Sequence, residues 1–463
     1  MAKITFYGAA RRVTGSCYLI ETEHHRLLLE CGMRQGEDEE ESEAGEPVLP
    51  FDPRSIDAVI LSHAHLDHTG MTPLLVRMGY RNQIYMTATT RELLPIMHKD
   101  SAFLLMKDVE WSNKRRQRAG KPPLEPLYTL QDVEQELELC EGLHYGEKRM
   151  ILPGVELCYR DAGHILGSAV VELWFDGRKL VFSGDLGNSH SPLLEDPALV
   201  DSADILLMES TYGDRNHRSH EETIREFRAA LDEAVEDGGN VLIPAFAVGR
   251  TQDILYHLGE MFLEGRLKQN QVFLDSPMAT SVSEVYEQNL HLFNEDNPRF
   301  RKKMTHTWEQ WLPVLRFTRE TEESMALNRI ESGAIIIAGS GMCTGGRIRH
   351  HLKHNLWKRK THVLIVGYQA FGTLGRKLVD GAKRVRILGQ EIAVDAKIHT
   401  LGGFSAHAGQ DQLVAWAKHF QKPRPRLFLV HGEPESMQAL QERLAHELHW
   451  EAVMPEEGDS FGI

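Results

Sequence analysis

The sequence predicts an α/β protein of two domains, one inserted into the other. At 463 residues the chain is long for a single core. Up to about residue 208 it alternates short apolar strands with turns and a few helices, and beyond that strands and helices follow one another in turn. Residues suited to one metal site, His407 and His431, recur only after that second stretch, so the chain leaves one domain and returns to it. The division read from these features is 1–208 and 388–463 for the outer domain and 209–387 for the insert.

Early strands are expected at 4–6, 17–20, 26–29 and 58–61, and further ones at 155–159 and 427–430, where β-branched and other apolar residues are bounded by turn signals. Within the insert, helices are expected at 221–236 and from Gln252, and strands at 240–244, 272–274, 334–337 and 363–366. Strand and helix in alternation imply a mostly parallel sheet covered by helices. After His431 there is room for a helix at 435–448 and a final strand, and for no further appended module.

Composition excludes some classes of protein. No run approaches the roughly 20 apolar residues of a membrane span, and the first residues lack a signal-peptide core, so a cytoplasmic protein is expected. Five cysteines without a C-x-x-C pair read as core thiols rather than a disulfide framework. The formal charge of −15 does not give the overall electropositive surface that usually meets phosphate backbones, but much of the acid is local, in the stretch 37–41, read as a solvated loop. The basic cluster 114–118 reads as an exposed helix end, with RNA contact as the alternative.

The hexapeptide His63, Ala64, His65, Leu66, Asp67, His68 carries four metal-binding side chains directly after the apolar run 58–61. Neutral imidazoles suit zinc, and a short turn can aim His63 and His65 at one ion while Asp67 and His68 reach a second. Two ions need ligands from other loops at the same sheet rim. His164 after strand 155–159, Asp185 after the run 179–184 and His431 after strand 427–430 supply them, and Asp185 is suited to bridge. Each alone would more often be a turn or capping residue; together they make seven candidate ligands. The isolated pairs His24, His25 and His350, His351 read as solvated surface.

The hexapeptide, His164, Asp185 and His431, in this order, resemble the ligand motifs of the metallo-β-lactamase superfamily. The segments Met208 to Gly213 and Gly403 to Gly409 resemble the extra motifs of its β-CASP branch, and histidine at 431 is similar to the members that act on RNA rather than DNA. The resemblance runs through the whole chain and implies an αββα sandwich with an inserted β-CASP domain. It implies a ribonuclease holding two Zn2+ per chain, one on His63, His65 and His164, the other on Asp67, His68 and His431. RNA would be cut between the domains by in-line attack, leaving a 5′-phosphate and a 3′-hydroxyl. The catalytic set is Asp67, His407 and Glu209, with His407 protonating the leaving oxygen and Glu209 orienting it. Where the family usually has aspartate, this chain has Glu30, expected to support the ligands from behind.

The glycine-rich loop 339–347 joins a buried strand to a helix and suits a phosphate cradle through Ser340 and Gly341, with Arg250 and Arg376 as complementary charge; a tight structural turn is the alternative. Two other functions share these features: a small-molecule hydrolase of the same superfamily, which has no need of the insert or His407, and a silent RNA-binding scaffold, which would tend to lose ligands. Oligomeric state is not written in the sequence, although a homodimer is compatible with it. Nor are the RNA targets or the balance of internal against terminal cutting.

Overall fold

The computed structural model describes residues 2–34, 49–189, 191–294, 307–370 and 372–463. The acidic stretch 37–41 lies outside these residues. Two compact units are present: Met1–Ser189, Asp196–Asn216 and His407–Ile463 form the first, and His190–Glu195 with His217–Ala406 form the second.

In the first unit, alternation along each strand sends neighbouring side chains to opposite faces, and this builds four layers. One seven-stranded sheet runs in the order Ser460–Gly462, Lys3–Gly8, Cys17–Glu21, Arg26–Leu29, Ala58–Ile60, Ile84–Thr87, Cys140–Leu143. The other runs Ala452–Val453, Arg426–Val430, Ile205–Glu209, Arg178–Phe182, Ala169–Phe175, Val155–Asp161, Arg149–Leu152. Leu27, Leu29 and Ile60 of the first sheet share a buried core with Leu180, Phe182, Leu207 and Phe428 of the second. Leu28 and Val59 turn the other way, onto Leu75, Val76 and Leu94 of helices Thr72–Arg77 and Ala88–Arg118. Val181, Leu206 and Leu427 likewise meet Leu413 and Leu440 of helices Gln410–Ala417 and Pro434–Leu448. This is the expected αββα sandwich.

The second unit is built on six strands, Leu315–Phe317, Gln271–Leu274, Ala334–Ala338, Val241–Pro244, His362–Ile365 and Lys397–Thr400, every adjacent pair of which is parallel. Its central strands are buried along their whole length, and Ala334–Ala338 and Val241–Pro244 are apolar throughout, as parallel strands covered on both faces tend to be. Helix His220–Glu236 starts at a capping box in which Ser219 Oγ accepts from the Glu222 amide and the Glu222 carboxylate accepts from the Ser219 amide.

Several features differ from the sequence reading. The second unit comprises His190–Glu195 and His217–Ala406, beside the 209–387 read for the insert; Lys397–Thr400 pairs with His362–Ile365 at the edge of its parallel sheet, while Ile205–Glu209 and the turn after it stay with the first unit. Beyond helix Pro434–Leu448 there are two strands, not one, and they join different sheets. His351 is buried, its Nε2 at 2.5 Å from Asp275, and is not solvated surface. The bounds of helix Ala88–Arg118, 31 residues long, are not legible in the sequence beyond the basic end at 114–118: Phe103, Leu104 and Trp111 are exposed, so no single apolar stripe marks it. Its last turns carry the basic cluster, where Lys114 pairs with Glu110. All five cysteines are buried free thiols. Among the described residues no helix is long and apolar enough to cross a membrane.

Candidate metal centre

All seven candidate ligands belong to the first unit, each in a loop that leaves a strand. Strand Ala58–Ile60 delivers His63 and His65, and the one-turn helix Leu66–Thr69 delivers Asp67 and His68. This loop is stapled to 31–33: the Cys31 amide donates to His68 O and the Met33 amide to Leu66 O, both at 2.8 Å. Gly32 permits the approach, since a Cβ there would lie 1.7 Å from Asp67 O. Strand Arg426–Val430 presents His431, whose backbone turns into the left-handed region at φ 51° so that its ring faces the cluster.

The fold gathers these groups into overlapping clusters. Donor atoms of His63, His65, His164 and Asp185 all lie within 4.8 Å of one another, and so do those of Asp67, His68 and His431. His63 Nε2 is 3.1 Å from His65 Nδ1, and His164 Nε2 is 3.3 Å from the same atom. Asp185 stands between the two groups, with Oδ2 3.5 Å from His63 Nε2 and 3.3 Å from His68 Nε2, and Oδ1 3.4 Å from His431 Nδ1.

Support comes from behind the ligands. Glu30 takes the left-handed φ of 63°, unusual for a residue with a Cβ, and its buried carboxylate accepts from the Ser62 amide at 2.6 Å, from Ser62 Oγ at 2.8 Å and from His68 Nδ1. The side chain thus contacts the candidate ligand His68 from behind. Burial pushes the His68 imidazole down, but the Asp185 and Asp67 carboxylates outweigh it and raise the group well above its usual value. A cation there would displace the Nε2 proton, and with Nδ1–H held by Glu30 the lone pair on Nε2 would face the cluster. His68 Nε2 and Asp185 Oδ1 are both buried without a hydrogen-bond partner, a costly state for polar atoms that a cation between them would relieve. Burial holds His65 down at about 4 and His63 well below its usual range, so both are the neutral imidazoles that zinc requires. This donor set fits a borderline-soft divalent ion.

Glu209 is fully buried at the end of its strand, where its Oε1 accepts from the Leu186 amide at 2.6 Å and faces His407 Nδ1 at 3.3 Å. Burial pushes the His407 imidazole down, but the Glu209 and Asp185 carboxylates outweigh it and raise the group to about 9. Sequence reading passed over Ser62, which also contacts His63 Nδ1 at 3.0 Å, and Thr211, whose Oγ1 lies 3.0 Å from His431 Nδ1. Their only signal was a hydroxyl beside a ligand motif.

The chain is 43% identical to Ribonuclease TTHA0252 of Thermus thermophilus over 445 residues, 96% of each protein. Family models match as a metallo-beta-lactamase superfamily domain at 10–147, a Beta-Casp domain at 251–378 and a Zn-dependent metallo-hydrolase RNA specificity domain at 391–455. The chain belongs to the RNA-specific β-CASP branch of the metallo-β-lactamase superfamily. This β-CASP protein is also 33% identical to the transcription termination factor FttA of Methanocaldococcus jannaschii, over 93% of this chain and 67% of that one. A crystal structure of an Enterococcus faecalis V583 protein of unknown function shares the fold, with a TM-score of 0.57 at 13% identity and 99% coverage of both chains.

The phosphate candidates of this β-CASP chain all lie in the second unit, at the carboxyl ends of adjacent parallel strands, the rim where such sheets bind ligands. Phe246, four residues before Arg250, packs on Gly341, where a Cβ would meet its ring at 2.6 Å. Gln369 Nε2 donates to Gly341 O at 3.0 Å, and the Gly375 amide, next to Arg376, donates to Met342 O at 3.1 Å. The two guanidinium groups are engaged locally: Arg250 with Asp253 at 2.8 Å, and Arg376 with Asp380 at 2.9 Å.

Proposed function

We propose that this protein is a ribonuclease that uses two Zn2+ per chain to hydrolyse RNA, the ions held by His63, His65 and His164 and by Asp67, His68 and His431, with Asp185 between them. The observation that carries the reading is the pair of orphaned buried atoms, His68 Nε2 and Asp185 Oδ1, inside a ring of imidazoles. The name of the Thermus thermophilus relative and the RNA specificity domain favour RNA as substrate. Such a pair of ions supplies activation of water and neutralisation of the phosphate charge when bound. Glu209 and Asp185 keep a proton on His407, and with Nδ1 turned to Glu209 the ring offers Nε2–H to the leaving 3′-oxygen. Glu30 and Ser62 hold the His68 and His63 rings in one tautomer and direction. The Ser340 hydroxyl and the Gly341 amide serve as donors to substrate phosphates, and Arg250 and Arg376 supply charge once freed from their carboxylates.

Purified protein incubated with end-labelled RNA and DNA, with and without a chelator, tests substrate, metal and cutting mode together. Chelator-sensitive cleavage of RNA is expected, abolished by His68→Ala while RNA binding survives. Undiminished cutting by that variant, or by chelated protein, overturns the proposal. The distribution of labelled fragments separates internal from terminal cutting.

A further inference from the structure

Outside the centre, the described residues contain one more group of three metal-binding side chains whose donor atoms lie within 4.8 Å of one another: Glu233, His362 and His399. It belongs to the second unit. His362 opens strand His362–Ile365, His399 sits on the parallel edge strand Lys397–Thr400, and Glu233 lies in the last turn of helix His220–Glu236.

We propose that His362 Nδ1, His399 Nε2 and the Glu233 carboxylate form a second, separate site for a divalent transition ion of the zinc class. Asp237 Oδ2 lies 3.0 Å from His362 Nε2, and a carboxylate can only accept, so the proton of a neutral ring sits on Nε2 and the lone pair on Nδ1. That is the arrangement in which a carboxylate orients a metal-binding histidine from behind. The lone pair faces His399 Nε2 at 2.9 Å, a spacing close to the 3.1 Å between His63 Nε2 and His65 Nδ1 in the centre. Ion binding would replace one N–H···N contact by two metal bonds, with the His399 proton moving from Nε2 to Nδ1. Three protein ligands leave a fourth position for water.

Lys397 is the built-in competitor. Its Nζ lies 2.6 Å from Glu233 Oε1 and 2.6 Å from Asp237 Oδ2, so an ammonium already neutralises the carboxylate an ion would use and the one that orients His362. The site is therefore weaker than the centre, and its affinity is set by how readily Lys397 swings away. The side chains of Glu233 and Lys397 are 44% and 40% exposed, which gives an ion a path in. Occupancy would clip the edge strand to the helix eight residues before His407.

The test is equilibrium dialysis of the full chain against Zn2+, with bound metal counted by atomic spectrometry and folding checked by circular dichroism. His399→Phe keeps a ring stacked on His362 and is expected to hold one zinc fewer than the unaltered protein at saturation. Lys397→Met removes the competitor and no ligand, and is expected to bind that additional zinc about tenfold more tightly. The comparison is between variants, so whatever the ribonuclease centre holds cancels. Equal zinc in the unaltered protein and folded His399→Phe, or unchanged affinity in Lys397→Met, overturns the proposal. Should His399→Phe not fold, Lys397→Met decides alone.

Discussion

His68 and Glu30 meet in full burial, the imidazole Nδ1 donating to a carboxylate whose other oxygen is held by the Ser62 amide. Glu30→Gln keeps the shape but removes the anion that orients and polarises the ring. Metal affinity, read by competition with a chromophoric chelator, should fall by about 10–100-fold. Glu30→Asp restores the charge with a shorter reach and should fall between the two.

His407 and Glu209 act on the proton, not on the metal, in the proposed function. His407→Ala should lower kcat by roughly 10²–10⁴-fold with bound zinc unchanged. Glu209→Gln should show a smaller loss of the same kind. A His407→Ala protein that loses zinc in step with activity would make this histidine a ligand.

Gly32 lies against the ligand loop, where a Cβ would overlap Asp67 O at 1.7 Å. Backbone cannot give way as a flexible side chain can. Gly32→Ala should destabilise the protein by about 3 kcal/mol and displace Asp67 and His68. Urea unfolding and zinc content measured on the same sample check both effects together.

Asp275, buried in the second unit, accepts from Thr318 Oγ1, Ser324 Oγ and Arg347, and contacts His351 Nε2. Burial alone would raise its pKa, but these partners hold it down at about 2. A folded value below the unfolded one, about 3.9, means that stability from this group is complete above the unfolded value and is lost as pH falls toward 2. The stability gap between the unaltered protein and Asp275→Asn, ~2 kcal/mol or more near neutrality, should therefore shrink between pH 4 and pH 2 in urea titrations.

Local pattern in the sequence determined the strands, the loops that follow them and the ligand types those loops carry. The uninterrupted apolar runs at 27–29, 58–61 and 334–337 mark strands buried on both faces, and metal-binding residues stand beside each other in the hexapeptide. Resemblance in motif order supplied the roles of His407 and Glu209.

Only the tertiary structure decided which atoms meet. Thr211 reaches His431 across 220 residues because strands Ile205–Glu209 and Arg426–Val430 are neighbours, and that adjacency depends on sheet order, not on any local signal. The same holds for His351, buried by Asp275 76 residues away, and for strand Lys397–Thr400, whose partner His362–Ile365 places it in the second unit. Short-range propensity writes elements into a chain. Long-range pairing, settled by burying apolar faces against one another, selects the contacts that fix tautomers and orient charge.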